Sequence, residues 1–256
     1  MEFDLLKDFL DAKVDQYNRP EFIDSDPVQI PHRFTSKEDI EIAGFLAATI
    51  AWGNRKAAIQ SAIKMLSLMG DAPFDFVMSA RHEHFDRLHG FVHRTFNDRD
   101  LKTMLLGFRN VYNQYNGPEA LIGANVREQK LHHGIHLFRR CLLEVDHEKR
   151  FEKHIADPLA NAAAKRIHLF LRWMVRSDKK GVDLGIWKSI SPAVLSCPLD
   201  VHSARTARYY GLLNRRQDDR KAVDELDTVL RKMDATDPAK YDYALFGLSI
   251  ENKGKF

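Results

Sequence analysis

Residues 158–177 read PLANAAAKRIHLFLRWMVRS, and their spacing decides the fold. At about 100° per residue, Lys165, Arg172 and Arg176 fall in one narrow stripe, while apolar side chains such as Ile167, Leu169 and Trp173 take most of the circumference. The run predicts a long, mostly buried helix from Pro158 to about Ser177 with a cationic seam. Such a seam has three readings: a slim edge facing solvent, cations paired with acidic neighbours, or a surface that holds an anion. A lysine set among apolar side chains and near other cations is also a candidate amine nucleophile.

The same period recurs on either side. Phe3, Leu6, Phe9, Leu10, Val14 and Tyr17 mark a first helix, and Pro20, Pro27 and Pro31 fill an irregular loop that ends at Ser36, an N-cap with Asp39 at the reciprocal position. Ile40, Ala43, Leu46 and Ile50 carry the next helix. Gly53-Asn54 breaks it, and Ile59, Ala62, Ile63 and Leu66 begin another that Gly70 closes. Leu101 to Tyr115 and Leu131 to Leu142 repeat the pattern, a shorter helix follows Pro198, and Asp218 and Asp237 are candidate caps for the last two. Helices joined by short links predict an all-α, two-lobed domain, with residues 36–150 as one lobe and residues 1–35 plus 151–256 as the second, which carries Lys165.

The 256 residues are 44% hydrophobic and 29% charged, an ordinary globular balance that argues against disorder. The longest apolar stretch, Ile42 to Trp52, is too short to cross a bilayer, and the first residues lack a basic and then apolar leader pattern. Cys141 and Cys197 are the only cysteines, too few for a disulfide framework or a four-cysteine cluster. A reducing cytoplasm and no membrane are expected. The charge is uneven: residues 151–216 hold 12 Lys/Arg against 5 Asp/Glu, the kind of surplus a polyanion meets when it docks.

The second chemistry-bearing segment is Cys197-Pro198-Leu199-Asp200-Val201-His202, followed by Arg205, Arg208, Arg215 and Arg216. Asp200 sits where a helix begins. Spacing alone does not separate a capping aspartate from a catalytic carboxylate, although a carboxylate beside cations suits stabilisation of an oxocarbenium ion. Trp52-Gly53-Asn54-Arg55-Lys56 and His93-Arg94-Thr95-Phe96 are polar-aromatic clusters at helix ends, suited to a flipped base, to a phosphate or to plain capping. His132, His133 and His136 lie at helical spacing without an accompanying zinc-protease glutamate or cysteine, so no metal and no cofactor are expected. Residues 242–247 read as an ordinary terminal helix.

Pro198-Leu199-Asp200-Val201-His202, with Arg205, Arg208 and Gly211-Leu212 after it, resembles the aspartate-bearing segment of the helix-hairpin-helix (HhH-GPD) DNA glycosylases, in which a Pro-x-Asp-x-His run opens a helix. The acidic amphipathic run Asp218 to Met233 and then Asp237 to Leu248 look like the closing helices of that fold. With Ala51 to Arg55, His93 to Asn97 and Phe170 to Arg176, the chain also resembles a bacterial family of conserved proteins of unknown function. Gly181 to Pro198 departs from the superfamily pattern. It has no Gly-x-Gly turn, and its Lys188 lies only 12 positions before Asp200. The archaeal 8-oxoguanine glycosylase branch sets its lysine further upstream, as Lys165 is here.

The resemblance implies an HhH-GPD-type fold and a base-excision glycosylase with lyase activity on an oxidised purine, acting on double-stranded DNA with a damaged or flipped base. Lys165 would be its nucleophile and Asp200 its stabilising carboxylate. Arg172, Arg176, Arg205, Arg208 and Lys188 would hold nucleic acid, with Trp52, Asn54, Arg55, Trp173 and His202 beside the base. The alternative is a non-enzymatic nucleic-acid-binding protein that keeps the fold.

Overall fold

The computed structural model describes residues 2–252. Eleven α-helices are present among them: α1 (Phe3–Tyr17), α2 (Lys37–Thr49), α3 (Arg55–Leu68), α4 (Pro73–Ser79), α5 (Asp98–Tyr115), α6 (Pro118–Gly123), α7 (His132–Leu142), α8 (Lys165–Val175), α9 (Val201–Tyr209), α10 (Arg220–Met233) and α11 (Tyr241–Glu251). The only sheet among the described residues is a two-stranded hairpin of β1 (Val92–His93) and β2 (Phe96–Asn97). The protein is thus all-α, and no described helix is long and apolar enough to cross a membrane.

Local chemistry sets many of the boundaries. Ser36 Oγ accepts the Asp39 N–H at the start of α2, Asn54 Oδ1 accepts the Ala57 N–H at the start of α3, and Asn97 and Asp100 form a reciprocal cap on α5. Asp39 does not complete a reciprocal cap with Ser36. Its Oδ1 accepts the Phe74 N–H at 2.8 Å and so ties α4 to α2. Asp219, not Asp218, caps α10, and Asp237 accepts no helix N–H because its carboxylate is taken by Arg176.

The largest departure from the sequence reading lies at the start of α8. Pro158–Ala160 is a single 3-10 turn, and both Asn161 (φ 65) and Ala164 (φ 48) take the left-handed conformation. A right-handed helix does not pass through such residues, so α8 begins at Lys165. It ends at Val175 because Arg176 is extended. The one-helix expectation for 158–177 therefore shrinks to 11 residues, and Lys165 becomes its first.

Two apolar cores organise the helices. In the first, Phe45 of α2 meets Phe108, Phe138 and Phe170 edge-on, each with ring centroids 5.3 Å apart, and Trp187 stands against Phe170 at 5.4 Å. Burying each such ring contributes about 1.5–3 kcal/mol, which outweighs any single polar contact nearby. The second core joins α1, through Leu6, Leu10 and Val14, to α9, α10 and α11. The partition differs from the expected lobes. Val28, Ile30 and the buried apolar residues from Phe151 to Leu195 belong to the first core, because α8 packs on α2 and inserts Phe170 into the phenylalanine cluster. Where α1 crosses α11, Gly247 has no room for a side chain, since an added Cβ would sit inside the Tyr17 ring contact.

Candidate active site

A cavity of about 690 Å³ opens where the two cores meet. Its walls come from the 22–27 loop, the 51–55 loop, the first half of α8, the start of α9 and the inner face of α11. Long-range packing brings these elements together, and no two adjacent sequence segments would make it.

Lys165 Nζ lies 3.0 Å from Asp200 Oδ2, and the two side chains keep 30% and 20% of their surface exposed. The two oxygens of Asp200 divide the work. Oδ1 accepts the backbone N–H groups of His202 and Ser203 at 2.8 and 2.9 Å, capping α9, while Oδ2 is left for the lysine. Burial works to raise the Asp200 pKa, yet the Lys165 charge and the Ser203 bonds prevail and hold the carboxyl below its ordinary value. The cap and the site residue are one aspartate, which is why spacing could not choose between them.

A second carboxyl behaves in the opposite way. Asp242, on α11, is pushed up to about 6 by burial, although its Oδ2 accepts from Arg172 Nη1. Asp26 is likewise raised by burial and accepts the Val28 N–H through Oδ1. One cavity thus holds a carboxylate kept ionised beside an amine, and a buried carboxyl that keeps its proton to higher pH.

Aromatic side chains line the rest. Trp52 carries the Arg166 guanidinium 5.0 Å over its ring and meets the edge of His93 at 5.2 Å. Phe246 carries Arg55 at 5.2 Å and is met edge-on by His202 at 6.2 Å. Phe22, Tyr243 and Ile250 extend the apolar surface.

The structure brings Lys165, Asp200, Trp52, Arg55 and His202 to this cavity, with Arg172 beneath them. It does not bring the others. Arg172 is 2% and Arg176 3% exposed, and each is enclosed by carboxylates: Asp183 and Asp242 for the first, Asp178, Asp183 and Asp237 for the second. Neither can reach a phosphate. Trp173 is fully buried and cannot stack on a base. Arg208 spends its guanidinium on Asp218 and the carbonyls of Arg215 and Arg216. Lys188 is exposed away from the cavity with its Nζ donating to the Gly185 carbonyl, Arg205 is exposed on α9, and Asn54 serves as the α3 cap. The cationic surplus of residues 151–216 is largely neutralised by acidic partners, many of them contributed after residue 216.

Sequence reasoning missed Asp26, His154, Arg166, Asp242, Tyr243 and Phe246, all of which line the cavity. Asp242 had a signal: it is the only charge between Tyr241 and Ile250, in a run otherwise apolar enough to be buried. The segment read as an ordinary terminal helix is in fact a wall of the site.

No curated protein and no solved structure matches the chain. A family described as Protein of unknown function (DUF2400) matches residues 26–251, a span that takes in Lys165, Asp200, Asp242 and all of the cavity except Phe22. On a match of that extent, the protein belongs to the DUF2400 family.

Proposed function

We propose that the protein is a DNA glycosylase with associated lyase activity, removing an oxidised purine from a nucleotide extruded into the cavity. The observation that carries this reading is the Lys165–Asp200 pair, 3.0 Å apart at the edge of an aromatic cavity large enough for an extruded nucleoside. The resemblance of the segment opening at Asp200 to that of the HhH-GPD enzymes agrees with it.

In this mechanism Lys165, after giving its ammonium proton to solvent, attacks C1′ of the sugar through its free amine. The C1′–N bond breaks, and its electron pair leaves with the base, which takes up the proton held by Asp242. Asp200 remains ionised and stabilises positive charge as it develops on the sugar. It then takes a proton from the adduct nitrogen and delivers it to O4′ as the C1′–O4′ bond breaks and the Schiff base forms. Asp200, ionised again once O4′ carries that proton, accepts the C2′ proton as the 3′ phosphate is expelled, and water releases the lysine.

Borohydride reduction tests the reading directly. Duplexes carrying 8-oxoguanine or an abasic site should become cross-linked to the wild type and not to Lys165→Gln. A second reading, a non-enzymatic nucleic-acid binder, is favoured by one feature. Among the described residues no α-helix lies between α8 and α9, only the 3-10 turn Pro192–Val194, so the paired helices of a hairpin are missing there. Tight binding of the abasic duplex with no cross-link would select it.

A further inference from the structure

The β1–β2 hairpin turns through Arg94 and Thr95, between the pairs Val92↔Asn97 and His93↔Phe96. Arg94 occupies the first central position with φ 55, a left-handed backbone for which Gly or Asn is the unstrained choice. Surrounding contacts leave the turn little freedom. Arg150 Nη2 donates to the Thr95 carbonyl at 2.7 Å, His93 Nδ1 lies 2.9 Å from Ser61 Oγ on α3, and the Asn97–Asp100 cap follows immediately. The fold therefore holds an arginine in a conformation that suits it poorly, and strain of this kind gathers where a side chain has a job.

That side chain lies against one wall residue of the cavity. Gly53 lines the cavity, and a methyl group placed on it would come within 2.3 Å of Arg94 Nη1. Arg94 is exposed, and among the described residues it makes no hydrogen bond and no ion pair. Arg55, two residues beyond Gly53, has no ion-paired carboxylate among the described residues. The contrast with the deeper arginines is sharp: Arg172 is saturated by carboxylates, and Arg166 donates to the carbonyls of Thr49 and Lys153. A planar guanidinium with its fork unused, beside a wall residue of a base-sized cavity, matches a phosphodiester.

We infer that Arg94 grips a backbone phosphate of the strand whose nucleotide enters the cavity. The inference rests on the nucleic-acid reading above and adds a contact that neither the charge count nor the lysine chemistry supplies. Arg94 touches none of the reacting atoms, so its effect is on binding.

The test is the affinity of the full chain for an abasic duplex, measured across a range of salt together with thermal melting. Arg94→Gly should weaken binding by roughly five- to tenfold at low salt and make the log–log salt slope shallower by about one. Its melting temperature should be unchanged or higher, because glycine relieves the left-handed strain. Arg94→Lys, which keeps the charge, should retain the wild-type slope, and Lys221→Ala on α10, away from the cavity, should alter neither quantity. If Arg94→Gly binds with the wild-type affinity and slope, the phosphate contact is overturned while DNA binding stands. If Arg94→Gly loses binding and also melts lower, Arg94 is a structural residue and the inference fails. A wild type that does not bind the duplex removes the nucleic-acid reading and this inference together.

Discussion

The two ends of α8 carry the same kind of side chain on the same stripe and live in different worlds. At its first residue, Lys165 has one carboxylate partner and partial access to a cavity. Two turns on, Arg172 is 2% exposed, paired with Asp183 and Asp242, and lies 4.2 Å under the Tyr243 ring. Arg176, next along, has three carboxylate partners. A cation with one partner and an open side can change partners during a reaction. A buried cation surrounded by carboxylates cannot, because removing any of them strands charge in a medium that solvates it badly. The first end reads as chemistry and the second as scaffold, pinning α11 and the 178–183 loop to α8.

The largest effect that could break this contrast is on covalent trapping. Lys165→Gln should abolish the borohydride cross-link altogether while the far-ultraviolet spectrum stays helical; a variant that still cross-links places the nucleophile elsewhere. Asp200→Asn should slow base release more than it weakens duplex binding, read from single-turnover rates against affinities. Because Asp200 Oδ1 also caps α9, asparagine is the right replacement, as it retains an acceptor oxygen for the cap.

The opposite end predicts the opposite phenotype. Arg172→Ala should cost about 3–5 kcal/mol of stability by leaving Asp183 buried with one of its two cations gone and Asp242 without its hydrogen-bond donor, measured by urea unfolding, and much of the chain should be insoluble. Loss of activity with wild-type stability would mean that Arg172 has a direct role in the cavity.

The pH dependence of folding separates the two carboxylates by sign. Asp242 is raised to about 6 in the folded protein from 3.8. Its contribution is therefore fully present below pH 3.8 and lost as pH rises towards about 6, a change on the order of 3 kcal/mol. Asp200 is lowered, so its contribution is present above pH 3.8 and lost as pH falls through its folded value. Denaturation midpoints between pH 4 and 6 should fall less steeply in Asp242→Asn than in the wild type. An unchanged slope would put the proton on another group.

The smallest expected effect belongs to Lys188. Exposed, and among the described residues bonded only to the Gly185 carbonyl, it should tolerate Lys188→Gln within about 0.5 kcal/mol, with the cross-link intact. If this substitution alone removes the cross-link, the two ends of α8 have been assigned wrongly.

The sequence by itself determined the helical class and most helix positions, since a 3.6-residue apolar period and a capping side chain act within one or two turns. Ser36 caps α2 as its position predicts. It also singled out Lys165 and Asp200, which the fold pairs at 3.0 Å. Tertiary structure alone decided which cations were free. Arg172 and Arg176 look identical to Lys165 on a helical wheel, and their partners Asp237 and Asp242 come from more than 60 residues away. The same holds for Asp242 and Phe246, which become a wall of the cavity only when α11 packs against α9 and α1. Periodicity reports which face of a helix is apolar; which neighbour covers that face depends on packing between distant segments, and ion pairing, burial and pKa follow from that neighbour.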